Sequence, residues 1–183
     1  MKITSLKIPE LKVLTPEVYG DERGFFLETW SSAAFEAHGI NAEFVQDNWS
    51  RSARGVLRGL HYQSEHPQGK LVRCTRGAIF DVAVDLRRPS PTFGIWDGVV
   101  LSEENKKSLW VPPCFAHGFL ALEDLVDVHY KCSDIYFPSA EHTILWDDAE
   151  LNISWPLPDG SHVQLSEKDQ KQAKCFIDSI CFD

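Results

Sequence analysis

The chain has 183 residues, a net charge of −9 and 43% hydrophobic residues, which suits a single domain (1–183) with a substantial core. The acidic balance argues against nucleic acid or an anionic membrane as the main partner, and no apolar stretch approaches membrane-spanning length. The start, Met1-Lys2-Ile3-Thr4-Ser5-Leu6, lacks the apolar run of a signal peptide, and the five cysteines, odd in number and without C-x-x-C spacing, read as reduced thiols, so a cytoplasmic protein is expected.

In chain order, the first predicted helix runs through Ser32-Ala33-Ala34-Phe35-Glu36-Ala37-His38 and stops at Gly39. Next comes a basic island. From Arg51 to Arg76 there are six basic residues (Arg51, Arg54, Arg58, Lys70, Arg73, Arg76) against one acid, Glu65, so this segment is +5 and the rest of the chain −14. Such an island fits a site for an anionic small molecule and equally fits a solvated strand face. Within it, Gly55 to Gln63 and Gln68 to Arg73 are candidate strands. Strict alternation would set Arg58 and His61 on opposite faces, and Gly59 is the natural position for a bulge that turns both inward.

Phe80-Asp81-Val82-Ala83-Val84-Asp85-Leu86 alternates, with Phe80, Val82, Val84 and Leu86 on one face, and ends at the turn Arg88-Pro89-Ser90-Pro91. Ile95–Leu101, Ser108–Val111, Gly118–Leu122 and Val126–Cys132 are further predicted strands, the last two joined as a hairpin at Asp124. Pro112-Pro113-Cys114-Phe115-Ala116-His117 sets a histidine at a strand entrance. Tyr130 shares the face of Val126 and Val128 and is expected to point inward. A second helix starts at Ser166. Many short strands with few helices indicate an all-β sandwich or barrel. Neither a G-x-G-x-x-G nor a P-loop pattern occurs, so the usual phosphate cradles of nicotinamide and phosphoryl-transfer enzymes are missing.

Each candidate side chain has an ordinary structural explanation when taken singly. A histidine in a strand is most often a hydrogen-bonded core residue. Tyr130 reads as a core tyrosine, Ser166-x-x-Asp169 as a helix cap, and Lys70 as a surface lysine. Composition and pattern support a β-rich domain with a basic site; they do not name a reaction.

The ordered set of motifs does more. Asp21-Glu22-Arg23-Gly24-Phe25-Phe26, Phe44-Val45-Gln46-Asp47-Asn48, Leu57-Arg58-Gly59-Leu60-His61-Tyr62-Gln63, Gln68-Gly69-Lys70-Leu71-Val72-Arg73, Val111-Pro112-Pro113 with Ala116-His117-Gly118-Phe119, Tyr130-Lys131 and Leu165-Ser166-Glu167-Lys168-Asp169 together resemble the dTDP-4-dehydrorhamnose 3,5-epimerase family. The resemblance implies a cupin-like jelly-roll fold, a homodimer, and epimerisation of dTDP-4-dehydro-6-deoxy-D-glucose at C3 and C5 without metal or other cofactor. It implies that His61 is the base, held by Asp169, and that Tyr130 is the acid on the opposite sugar face. Lys70 and His117 would lie near the keto oxygen and sugar ring. Arg58, Gln46 and Asn48 would hold the diphosphate and nucleoside side. Arg23 and Glu28 would bind nucleotide across the dimer interface, and Tyr136 would stack on the thymine with Glu141 and Lys168 nearby. Two departures from the family pattern are visible: the segment between His61 and Lys70 is one residue short, and Trp49 stands where a histidine is common.

This chemistry wants these groups. Inverting a carbon beside a ketone requires proton removal on one face and return on the other. The enolate formed between the two needs a cation near its oxygen, such as Lys70 in a dry cavity. Histidine is a suitable base near neutrality, a carboxylate on its other nitrogen fixes its tautomer, and tyrosine stays protonated there. The rivals are an enzyme that inverts only C3 or only C5, a metal cupin, and a non-catalytic sugar-nucleotide binding module. The metal cupin would need clustered ligands, usually with H-x-H spacing, and no H-x-H occurs in the chain.

Overall fold

The computed structural model describes residues 1–157 and 162–183. The strands are β1 (Lys2–Ser5), β2 (Lys12–Thr15), β3 (Val18–Asp21), β4 (Gly24–Leu27), β5 (Gln46–Ser52), β6 (Leu57–Gln63), β7 (Lys70–Arg76), β8 (Ala78–Asp85), β9 (Trp96–Ser102), β10 (Ser108–Val111), β11 (Phe115–Ala121), β12 (Val126–Cys132) and β13 (Glu141–Thr143). Two short α-helices, α1 (Ser32–Glu36) and α2 (Glu167–Gln172), and two single 3-10 turns at Pro138–Ala140 and Phe176–Asp178 accompany them. The strands form an antiparallel six-stranded sheet in the order β1-β2-β10-β7-β12-β5 and an antiparallel five-stranded sheet in the order β13-β6-β11-β8-β9. A two-stranded hairpin, β3-β4, stands apart from both. The two large sheets face each other as a cupin-like jelly-roll sandwich; among the described residues they do not merge into one closed barrel.

The principal core lies between them. Val13, Val72, Leu109 and Val128 from the six-stranded sheet meet Ile79, Ala83, Leu101 and Phe119 from the five-stranded one. Each outer face has its own cover. Phe35 and Ile40, with Trp30 and Phe44, pack on Leu14, Leu71 and Trp110 of the six-stranded sheet. The C-terminal segment lays Ile153, Trp155, Phe176 and Phe182 over Leu60, Val82, Val84 and Ala116 of the five-stranded one. The alternation in β8 is therefore real: Phe80, Val82, Val84 and Leu86 share the face under the C-terminal cover. The opposite face is buried as well, and it carries Asp81 and Asp85, both fully shielded from solvent.

Two expectations are corrected. The Gly118–Leu122 and Val126–Cys132 strands do not form a hairpin at Asp124. β11 pairs with β6 and β8, and β12 pairs with β5 and β7. Phe119 and Ala121 of β11 bury against the same core as Val126 and Val128 of β12, so the strands face each other across the sandwich instead of sharing an edge. The first helix is shorter than expected, ending at Glu36, because the chain tightens through the His38 N–H to Phe35 carbonyl and Gly39 N–H to Glu36 carbonyl bonds. It then leaves through Gly39 at φ +75°, a left-handed conformation glycine adopts freely.

The irregularity expected at Gly59 is present. His61 is opposite His117 and Arg58 is opposite Phe119, so three steps on β6 match two on β11. Gly59 has φ +122°, and a Cβ there would lie 2.5 Å from Gly118 Cα and 2.7 Å from the His117 carbonyl oxygen. A Cβ on Gly118 would in turn lie 2.7 Å from the Arg58 carbonyl oxygen. The bulge thus depends on two glycines whose backbones approach where no side chain fits.

Candidate active site

Between the sheets at one end of the sandwich lies a cavity of about 390 Å³, within the size range of small-molecule sites. The bulge turns both Arg58 and His61 toward it, although strict alternation would separate them. From the six-stranded sheet come Gln46 and Asn48 of β5, Lys70 of β7 and Tyr130 of β12. From the five-stranded sheet come Arg58, His61 and Gln63 of β6 and His117 and Phe119 of β11. Tyr136, Glu141, Lys168 and Asp169 add to the lining from the loop before β13, from β13 itself and from α2.

His61 Nε2 is 2.6 Å from Asp169 Oδ1. α2 is brought to β6 by short parallel bridges on either side of it, Gln164 with Val56 and Lys174 with Ile144. Ser166 caps the helix by accepting the Asp169 N–H at 3.1 Å. The capping reading is therefore correct for the backbone of Asp169, while its carboxylate turns to the histidine. Burial opposes ionisation of that carboxyl, but the hydrogen bond and charge of His61, the Ser166 cap and Lys168 outweigh it and hold Asp169 below the usual carboxylate range. A carboxylate so placed fixes the tautomer of the imidazole and stabilises its protonated form.

His117 has a partner of its own. Its Nε2 is 2.8 Å from Oδ1 of Asp81, a residue fully buried on β8, and among the described residues Asp81 Oδ2 has no hydrogen-bond partner. The alternation of β8 could have flagged Asp81, since it puts an acid on a face that a sandwich buries.

Lys70 is not a surface lysine. It is 9% exposed, and its Nζ lies 3.5 Å from the His61 carbonyl oxygen. Among the described residues it makes no ion pair. Burial pushes its pKa down, against the pull of Cys132, Glu141 and Asp81. A buried ammonium without a carboxylate is costly unless a ligand supplies the negative charge, and an enolate oxygen would do so. Tyr130 is partly buried, packs on the central core and lines the cavity. Burial raises its pKa, so its hydroxyl keeps its proton well above neutrality.

Within the same lining, Arg58 donates to Ser52 Oγ at 3.0 Å and to the Arg51 carbonyl at 3.2 Å, and among the described residues it has no carboxylate partner. Glu141 accepts from both the Tyr136 hydroxyl and Lys168, which raises the tyrosine to about 12 and lowers the carboxyl despite its burial. The basic island divides here. Arg58 and Lys70 serve the cavity, whereas Arg51 pairs with Asp127 and Arg54 with Asp124 on the outside. Arg23 and Glu28 do not line the cavity of their own chain. Arg23 sits on the β3-β4 turn, with its side chain 89% exposed, paired to Asp21. Ser50, Gln63, Gln68 and Phe119 line the cavity without having been singled out as site residues; Gln63, Gln68 and Phe119 lie within quoted motifs. Among the described residues, no three His, Cys, Asp or Glu side chains converge as a metal site, and no helix is long and apolar enough to cross a membrane.

A jelly roll whose interior holds a carboxylate-backed imidazole, a partly buried phenol and an ammonium without a carboxylate partner among the described residues is equipped to shift protons at carbon, which makes the class an acid–base isomerase. The family model described as dTDP-4-dehydrorhamnose 3,5-epimerase matches residues 5–176. A Pseudomonas aeruginosa protein named dTDP-4-dehydrorhamnose 3,5-epimerase is 56% identical over 183 residues, covering 100% of this chain and 99% of its own. The Legionella pneumophila dTDP-6-deoxy-D-glucose-3,5-epimerase, solved in complex with dTDP-4-keto-L-rhamnose, superposes with a TM-score of 0.90 at 53% identity, over 94% of this chain and 91% of that one. The Mycobacterium tuberculosis epimerase gives a TM-score of 0.92 at 42% identity, over 97% and 90% of the two chains. The chain belongs to the dTDP-4-dehydrorhamnose 3,5-epimerase family.

Proposed function

We propose that this chain converts dTDP-4-dehydro-6-deoxy-D-glucose into dTDP-4-dehydro-L-rhamnose by inverting C3 and C5. The observation that carries the reading is the His61–Asp169 pair sharing one cavity with Tyr130 and the unpaired Lys70. His61 takes the proton from the carbon beside the ketone, and the bonding electrons move onto the C4 oxygen. Lys70 and His117 stabilise that oxygen as its charge grows, in a cavity where their field is poorly screened. Tyr130 delivers a proton to the opposite face of the carbon. Solvent then resets His61 and Tyr130, and the cycle repeats at the second centre. Asp169 keeps the imidazole oriented throughout.

The rest of the cavity holds the nucleotide. Arg58, with Gln46 and Asn48, takes the diphosphate and nucleoside side, in line with a guanidinium that has no carboxylate partner among the described residues. Tyr136 stacks on the thymine, with Glu141 and Lys168 fixing its hydroxyl. Arg23 and Glu28 reach the nucleotide from a second copy in a homodimer. That arrangement is supported by the hairpin that carries Arg23, which exposes Tyr19, Phe25 and Phe26 at 58%, 64% and 71%, more apolar surface than a free hairpin needs. A cytoplasmic location belongs to the same reading and is supported by five unpaired cysteines.

The test is incubation with dTDP-4-keto-6-deoxyglucose in D₂O, followed by NMR. Deuterium at both C3 and C5 with the L-rhamno product is the expected result. Uptake at one centre alone would reduce the assignment to a mono-epimerase, and uptake at neither would leave a binding module. Light scattering at twice the chain mass supports the homodimer, and a monomer at working concentration would remove the cross-subunit role of Arg23 and Glu28.

A further inference from the structure

The segment between β12 and β13 carries Tyr136 into the cavity lining, and its backbone is held from both sheets. From β5, Gln46 Oε1 accepts the Tyr136 N–H at 2.9 Å. From β6, Gln63 makes three bonds, two of them to the residues on either side of Tyr136. Its Oε1 accepts the Phe137 N–H at 2.9 Å, and its Nε2 donates to the Ile135 carbonyl at 3.2 Å and to the His66 carbonyl at 2.7 Å. Gln63 is 4% exposed. Both of its amide hydrogens are committed to backbone carbonyls and its oxygen to a backbone N–H, so no donor remains for a ligand. Only a primary amide presents an acceptor and two donors at once; a glutamate would set a carboxylate against two carbonyls, and an apolar side chain would leave three part-buried backbone groups without this partner.

We propose that Gln63 is a positioning residue for nucleotide recognition, acting through Tyr136 without touching the substrate. The proposal rests on the reading that Tyr136 stacks on the nucleotide base. His61 and Gln63 are two residues apart on one strand, so β6 fixes both the base that removes the proton and the wall against which the nucleotide lies. The spacing between reactive carbon and thymine is thereby set by a single rigid element, as a pre-organised site requires. Gln68, which donates to the Asp134 carbonyl at 2.8 Å, stitches the adjoining loop to the same segment, and Gln63 forms the buried centre of that seam.

The test is a double-mutant cycle on dTDP affinity by calorimetry, using Gln63→Met, Tyr136→Ala and the double variant, with kcat and KM for the sugar nucleotide measured beside it. Gln63→Met is expected to weaken dTDP binding and raise KM by roughly tenfold, with kcat and its pH profile unchanged within about twofold. In the Tyr136→Ala background the same substitution is expected to change dTDP affinity by less than about twofold, because its route of action is gone. If Tyr136→Ala weakens dTDP binding and Gln63→Met costs the same factor with or without Tyr136, the Gln63 assignment falls and the stacking reading stands. If Tyr136→Ala leaves dTDP affinity at the wild-type value, the stacking reading falls and the proposal with it. Should Gln63→Met fail to fold, Gln63→Glu, which keeps the acceptor for Phe137 but turns a carboxylate oxygen on two carbonyls, runs through the same cycle, with an equally Tyr136-dependent loss of dTDP affinity expected. A loss in kcat with KM unchanged, in either variant, would overturn the proposal.

Discussion

His61 on β6 and Asp169 on α2 are 108 positions apart in the chain, yet their side chains meet at 2.6 Å. The contact exists because the helix is bracketed by two bridges, one to the residue before β6 and one to the residue after β13. β13 in turn pairs with β6 so that Thr143 lies opposite His61. Strand, helix and flanking bridges thus form one closed unit around the imidazole.

Replacing Asp169 by Asn isolates the electrical part of this arrangement. The amide matches the carboxylate in shape and still hydrogen-bonds the ring, but it favours the wrong tautomer and does not stabilise the imidazolium. Deuterium exchange at C3 and C5 is expected to slow by roughly 10²–10⁴-fold, with the fold retained by circular dichroism. Exchange at the wild-type rate would show that the pair is structural.

Lys70 offers the opposite combination of activity and stability. Its folded pKa is depressed by burial, so between that value and the ordinary lysine pKa the unfolded chain holds a proton that the folded one gives up, and at lower pH the folded chain bears the full cost of the buried charge. The ionised lysine therefore opposes folding, and the penalty is relieved as pH rises through the folded pKa. Lys70→Met keeps most of the stem and removes the charge. It is expected to lose roughly 10²–10³-fold in turnover while the thermal midpoint at neutral pH holds or rises. A fall in midpoint of several degrees would indicate that the ammonium is paid for by a contact the geometry does not include.

Tyr130→Phe removes only a hydroxyl. In the proposed mechanism proton abstraction falls to His61 and is untouched, so label from D₂O is expected still to enter the sugar. Return of the proton to the opposite face is impaired, and the recovered sugar is expected to be labelled with its starting configuration retained. NMR of the product separates the two outcomes, and normal inversion at both centres would take the acid role away from Tyr130.

Acid stability has its own reporter in Asp85. Burial alone would raise this carboxyl, but Arg87, Ser90 and Thr92 bond to it and hold it at about 2, against an ordinary 3.8. A depressed carboxyl stabilises the fold above its unfolded pKa, and that stability is lost as pH falls from near 4 toward 2. The contribution is on the order of 2 kcal/mol. Asp85→Asn is expected to flatten the fall in urea-unfolding free energy across that window; an unchanged pH slope would place the acid-sensitive group elsewhere.

Much of the fold was legible because local rules and tertiary packing agree. Ser108–Val111 and Val126–Cys132 were read to the residue, since β-branched and apolar runs bounded by turn residues leave few alternatives. Gly59 was readable as a bulge because two polar side chains three apart had to share a face. The hairpin at Asp124 was misread because a turn signal says that the chain reverses; it does not say whether the next strand pairs with the last or crosses to the facing sheet. That choice is made by which side chains bury together, and Phe119 and Val128 do so across the core.

The candidate site divides along the same line. The types and order of its residues are a property of the chain: an isolated histidine, a tyrosine on the interior face, a basic island, and a capped helix bearing an acid. What they do there was decided by the tertiary structure. Asp169 and Asp81 reach their histidines through contacts distant in sequence, Lys70 changes from a surface charge to a buried one, and Gln63 spends its amide on a loop seventy residues away. The physical reason is that side-chain chemistry is local, whereas desolvation and hydrogen-bond partnership depend on what the two sheets enclose.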